Sequence, residues 1–497
     1  MSIFLFSSCE NSTEPDVYSP VPLDEKAIPL IKINNYFCFP DNSSLLIMYP
    51  IDGNNVELNG IVEYSESYYD NIFINDSLIV NNESYDFGTV SVDSEFTLKT
   101  VIENEETEYQ INFTTLPTIM FYANEDIVDE PKISSRIIVN DIISNNTFDL
   151  YSGIEIRGGS SQNYPKVSYD IELWEDKDGV DTEKERLFDM RNDDDWIFDA
   201  MYLDLSKSRN VMSFEIWESF ANAIYLSEEE DARLALSGQL VEIFINNEYL
   251  GIYSCNEQID KKQLKIDDDE GRLYKAEVWT SATRFEAIDE TEIFSDTWGG
   301  YELKHPDENI SELTWQPLID LIALIAYSDD STFVNSIEQM IDIDNIIRYY
   351  IFINLIQAPD NAGKNMFISK YKEGYPLSFV PWDLDITYDN DNTPWFPYLT
   401  IEDIITNNLF DRLYSLDVNN YRDQVKMTWQ EINQPGLSDQ ISSKFTENIN
   451  QLIESNATIR ENNKWNFDTD YNDELNHINT WIINRISIFD SYINSNY

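Results

Sequence analysis

The sequence predicts an α+β chain of three consecutive parts: a polar tether, a small all-β sandwich, and a larger domain that opens with strands and closes with helices. Three observations carry this expectation. Between residues 25 and 115, short alternating apolar segments recur at roughly ten-residue spacing. After residue 116 longer strand-like runs appear, with one amphipathic stretch among them. From residue 400 onward the apolar positions follow the helical period almost without interruption.

The elements follow in order. Residues 1–24 read as a leader remnant and tether: "MSIFLFSSC" is a short apolar stretch ending at Cys9, and "ENSTEPDVYSPVP" is polar. Residues 25–115 hold "SSLLIMYP", "GIVEYS", "NIFIND", "SLIVN", "EFTLKTVIE" and "EYQINFTT", separated by Asn- and Gly-bearing turns. This is the pattern of a small, Ig-like β-sandwich. It carries no chemical constellation and reads as a spacer or docking module. In residues 116–497, "FDLYSGIEIRGGSS" and "YPKVSYDIELW" are strands, "SRNVMSFEIWESFANAIYL" is a helix, and "QLVEIFIN" and "YLGIYSCNEQ" are two further strands. An apolar helix, "IIRYYIFINLIQ", precedes the turn "APDNAGKN" and the strands "NMFISKY" and "LSFVPWDLD". A β lobe with one helix, then a helical lobe, is the order of a two-lobed protein-kinase-like fold.

Composition narrows the chemistry. The chain has 92 acidic against 32 basic residues, a net charge of −60. Such a field repels nucleic acid and anionic membranes, and a phosphorylated ligand must find a few well-placed cations or bring metal ions. His305 and His477 are the only histidines, which excludes three-histidine zinc sites, HExxH metalloproteases and most Ser-His-Asp hydrolases. Cys9, Cys38 and Cys255 form no CxxC pair, so neither a disulfide framework nor a structural zinc is expected. Catalysis, if there is any, must rest on carboxylates, and hard oxygen ligands favour Mg²⁺ or Ca²⁺.

The turn "APDNAGKN" then stands out. Asp360 and Asn365 are five positions apart, the spacing of a proton-accepting Asp and a metal-binding Asn in a kinase catalytic loop. The next strand pair ends in Asp383 and Asp385, where a metal-chelating Asp is required. The alternative for Asp360 is a turn cap, and for the other two a solvated strand end. In the β lobe, "RGGSS" (Arg157, Gly158, Gly159, Ser160, Ser161) lies between two strands, where backbone N–H groups and hydroxyls would cradle phosphates or simply form a hairpin turn.

Taken in order, "IEIRGGSS", "PKVSYDIELW", "SRNVMSFEIW", "VEIFINNEYLGIYSCNEQID", "DNAGKNMF" and "FVPWDLD" resemble the CotH kinase family, named for a spore-coat protein. The resemblance spans about residues 116–497. It implies a divergent kinase-like fold that binds ATP with Mg²⁺ or Mn²⁺ and phosphorylates serine in a protein substrate. By position it implies Asp360 as the catalytic carboxylate, and Asn365, Asp383 and Asp385 as metal ligands. It also implies Lys166 as the partner of the α/β-phosphates and Glu257 as a residue near the adenine hinge. Glu215 or Glu218, on the helix, would pair with Lys166. The sequence departs from the family pattern in "GGSS", in "VS" after Lys166 and in "NNEY", which bear on the phosphate grip rather than on the metal site. The N-terminus resembles a bacterial lipoprotein signal of the kind common in Bacteroidetes, with Cys9 lipidated and the chain in the cell envelope, anchored to the outer membrane or exported. It lacks the basic n-region and a full apolar core. Two other functions compete with the kinase: a catalytically silent scaffold of the same fold, and a glycan-active surface protein using two carboxylates.

Overall fold

A computed structural model describes residues 29–289, 295–306, 310–390 and 392–497; Cys9 and the tether lie outside them. Strands up to Glu105–Thr114 form two sheets, one of four strands and one of six. Their inward residues, among them Ile33, Val62, Ile72, Leu98 and Phe113, share one core. The next strand starts at Thr118.

Seven strands then close into a barrel. Thr118–Ala123, Ile133–Asp141, Asn146–Arg157, Ser168–Trp174, Asp195–Asp199, Glu248–Asn256 and Gly238–Ile245 follow one another around it. The last pairs in parallel with the first. Alternation along each strand sends successive side chains to opposite faces. Ile119 and Phe121 point into the barrel core with Trp196, Phe198 and Val241. Met120 and Tyr122 point outward, where with Ile138 and Phe244 they meet Phe37, Phe39 and Met48 of the preceding module. The rings of Phe39 and Phe244 lie 5.7 Å apart, and Asn140 exchanges two hydrogen bonds with the backbone of Phe37. The module, read from sequence as a spacer or docking module, is joined to the barrel by a buried apolar seam.

The rest shares one large core. A five-stranded sheet runs in the order Thr297–Trp298, Tyr301–His305, Arg272–Ala276, Met366–Lys370, Leu377–Pro381. Helices Ile343–Leu355, Leu437–Glu454 and Tyr471–Asn496 pack with it. The helix Arg209–Glu218, which the sequence assigns to the β lobe, buries Phe214 and Trp217 in this second core instead; Trp217 packs on Phe352, ring centroids 5.1 Å apart. Helix does not resume at residue 400. It begins at Asn408, because the Asn407 side chain accepts the Phe410 N–H and caps the turn there. Among the described residues, no helix is long and apolar enough to cross a membrane.

Candidate active site

A cavity of about 890 Å³ opens where the barrel rim meets the helical region. The octapeptide reaches it because the helix ending at Leu355 delivers the chain into a single 3₁₀ turn, Asp360–Ala362, before strand Met366–Lys370. The amides of Gly363 and Lys364 both donate to the Asp360 carbonyl and close that turn. Asn361, also within it, accepts the Trp382 N–H and donates to the Trp382 carbonyl, so it clamps the second acidic loop to the first.

Asp360 is 8% exposed. Its Oδ1 accepts the Trp279 indole N–H at 2.9 Å. Asn365 Nδ2 spans the two loops, 3.4 Å from Asp360 Oδ2 and 3.0 Å from Asp383 Oδ2. Asn365 and Asp383 both have left-handed backbones, φ 51° and 56°, a region that Asn and Asp tolerate better than most side chains. Asp383 is exposed at the mouth of the cavity it lines, yet desolvation, then the charges of Asp199 and Asp360, push its carboxyl up to about 6; Lys364 and Lys275 act in the opposite sense. Asp385 is pushed well above the usual range by burial and by Asp383, Asp199, Asp204 and Asp360. This wall thus crowds Asp199, Asp360, Asp383 and Asp385 beside one amide, all hard oxygen donors. The donor set fits a divalent ion held by Asn365, Asp383 and Asp385, whose charge would relieve the crowding. Another acidic cluster, Asp193–Asp194–Asp195, converges within 4.8 Å, but Lys262 Nζ already sits in it at 2.8, 2.8 and 3.2 Å.

Cations line the same cavity. "RGGSS" is the turn between barrel strands Asn146–Arg157 and Ser168–Trp174, and all five of its residues line the cavity. Gly158 has φ 99°, and a Cβ there would come within 2.1 Å of Ser161 Oγ, so the turn needs glycine. The Arg157 guanidinium lies over the Trp382 ring at 5.8 Å. Lys166 also lines the cavity and is 1% exposed. Burial lowers its ammonium to about 8 against the attraction of Glu461.

Glu461, on helix Ala457–Trp465, is the partner of Lys166, at 2.7 Å. Glu215 and Glu218 are not: they pair with Lys444 and Arg233 instead, because the helix that carries them turns toward the helical core. Glu257 does not line the cavity. Its buried carboxylate accepts from the amides of Arg191 and Ser237 and from Arg233 and Gln263. The neighbouring residue Asn256 is the one that faces the cavity. Sequence reasoning also passed over Asp199, Asn210, Trp279 and Lys275 as site residues. Asn210 links Asp199 Oδ2 to the Leu384 amide, between the two acids of "WDLD". Its only sequence signal is its place in "SRNVMSFEIW".

The family model for the CotH kinase protein matches residues 154–489, about two thirds of the chain. The chain belongs to the CotH kinase family. No curated protein matches it. CotH membership points to a kinase-like enzyme, and kinases in general take ATP and a divalent metal. Every cavity residue named above lies within the matched span, so the acidic wall and the cationic turn are both parts of the CotH region.

Proposed function

We propose that this CotH-family chain has a divergent two-lobed kinase-like architecture and transfers the terminal phosphoryl group of ATP to a serine of a protein substrate at the cell surface. The observation that carries the reading is the make-up of one cavity: Asp199, Asp360, Asp383, Asp385 and Asn365 line it together with Arg157, Lys166 and the "RGGSS" turn. When bound, Mg²⁺ or Mn²⁺ neutralises the phosphate oxygens against the acidic wall. The chain's own residues do the rest. Asn365, Asp383 and Asp385 hold the ion, and Asn361 and Asn210 fix the backbone that presents them. Trp279 occupies Asp360 Oδ1 and leaves Oδ2, whose contact to Asn365 is the longer one, to receive the proton of the acceptor hydroxyl. That proton passes to Asp360 as the serine oxygen bonds to phosphorus, the bond to the bridging oxygen breaks and ADP departs.

With four carboxylates in the wall, nucleotide binding should require the metal. A thermal shift is expected with ATP plus Mg²⁺ or Mn²⁺ and none with ATP in EDTA, and labelled ATP should then give transfer to protein. Equal binding in EDTA would remove Asn365, Asp383 and Asp385 from the metal site. Binding with no transfer to any protein acceptor would leave the silent scaffold as the better reading.

Anchorage at Cys9 is proposed on the lipoprotein-like leader alone. Cys9→Ser is expected to release the chain from the membrane fraction, and unchanged fractionation would return the leader to an unimportant tail.

A further inference from the structure

We propose that Glu461, far from the other site residues in sequence, is the positioning residue of the nucleotide grip, and that it holds Lys166 and Lys207 together as one cationic unit behind the phosphates. The inference rests on the phosphotransferase reading and adds to it a residue and a role.

An ammonium group has three N–H donors. Lys166 directs one at the Ile252 carbonyl and one at Glu461 Oε1, at 2.7 Å. The same ammonium lies over the Tyr253 ring, 4.5 Å from its centroid, and the residue lines the cavity. Glu461 Oε2 is itself fixed by the Ile252 N–H at 2.8 Å. Lys207 Nζ lies 3.5 Å from the same Oε1 and donates to the Met201 carbonyl at 2.9 Å. All three side chains are sealed from solvent. One carboxylate thus serves two ammonium groups, with Asp199 the next acidic neighbour of Lys166. Without the Glu461 carboxylate this buried group would hold more cation than anion, which is costly, so Glu461 keeps both ammonium groups charged and in place behind a nucleotide phosphate.

The approach of Glu461 is built into the strand. Gly251 has φ 100°, and a Cβ there would meet Glu461 Oε2 at 2.0 Å. The helix is docked separately, by Arg460 to Glu242 at 2.7 Å and by Trp465 Nε1 to the Leu250 carbonyl at 2.9 Å. Docking and positioning therefore belong to different side chains.

The test uses the full chain and Mg·ADP affinity by calorimetry, together with kcat and KM for ATP. Glu461→Gln is expected to weaken Mg·ADP about tenfold or more and to raise KM more than it lowers kcat, and Lys166→Met is expected to do the same. The two changes combined should be no worse than either alone, since both remove one interaction. Glu461→Gln strands two buried cations and can unfold the protein. Glu461→Gln with Lys207→Met keeps the net charge of the group, and it is expected to fold and still bind Mg·ADP weakly. Wild-type affinity in either folded variant, or full additivity with Lys166→Met, would overturn the inference and leave the phosphotransferase reading standing. A wild-type chain that binds no nucleotide would overturn both.

Discussion

Asp360→Asn should slow phosphoryl transfer at least about a hundredfold while Mg·ATP still binds, because a positioned base contributes roughly a hundred- to ten-thousandfold in rate. Neither histidine lines the cavity to take over the proton. The fold should survive. An amide at 360 still accepts the Trp279 N–H through Oδ1, and its closed turn depends on the backbone carbonyl, not on the side chain. The cost is local: the new Nδ2 would face Asn365 Nδ2, donor against donor, at a contact now 3.4 Å long, worth about 1 kcal/mol. Asp383→Asn should behave differently, losing the metal-dependent thermal shift as well as turnover. The measurements are single-turnover transfer from labelled ATP and metal-dependent melting of each variant. Near-normal transfer by Asp360→Asn would reduce "APDNAGKN" to a turn.

A chain beginning at residue 116 should fail to give a soluble monomer, although residues 29–115 contribute nothing to the cavity. Its removal uncovers Met120, Tyr122, Ile138 and Phe244, which are now packed on Phe37, Phe39 and Met48. It also takes away both backbone partners of Asn140 at Phe37. Full burial of a large apolar side chain is worth about 1.5–3 kcal/mol, so even partial exposure of these four consumes much of a typical stability of about 5–15 kcal/mol. Size-exclusion chromatography and urea denaturation would decide it. A monomer with unchanged stability would show that the seam carries no net energy. Replacing Met120 and Phe244 with polar residues should then rescue solubility in the truncated chain.

Local spacing made much of the acidic wall readable. Asp360, Asn365, Asp383 and Asp385 sit in two short loops joined by adjacent strands, so five- and two-residue intervals in the sequence survive as neighbours in space. "RGGSS" and Lys166 were readable for the same reason, being a hairpin turn and the start of its return. Glu257 was misplaced by a single residue's alternation: Asn256 turns to the cavity and the next side chain turns away. Asp199, Asn210, Trp279 and Glu461 enter from four separate elements, and no local pattern announces them. The barrel's closure rests on pairing residues 118–121 with 242–245, a match that alternation along either strand does not encode. The seam was hidden because both faces of Thr118–Ala123 are apolar, which reads equally well as a strand buried inside one domain.

The distance between Lys166 and Glu461 along the chain has a consequence for synthesis. The two residues are 295 positions apart, which at about 5–20 residues per second is roughly 15–60 s of translation. The barrel can close on the ribosome well before that, with the acidic loops still unmade and its cavity lysine unpaired. Once Asp385 has emerged, the nascent protein holds every acid of the wall and the cationic turn but not the carboxylate that sets Lys166. The cleft is completed only by one of the last helices to leave the exit tunnel. A chain stopped before residue 461 would carry the whole acidic wall and the whole cationic turn and still lack a set lysine, so the order of synthesis delays competence until nearly all of the protein exists.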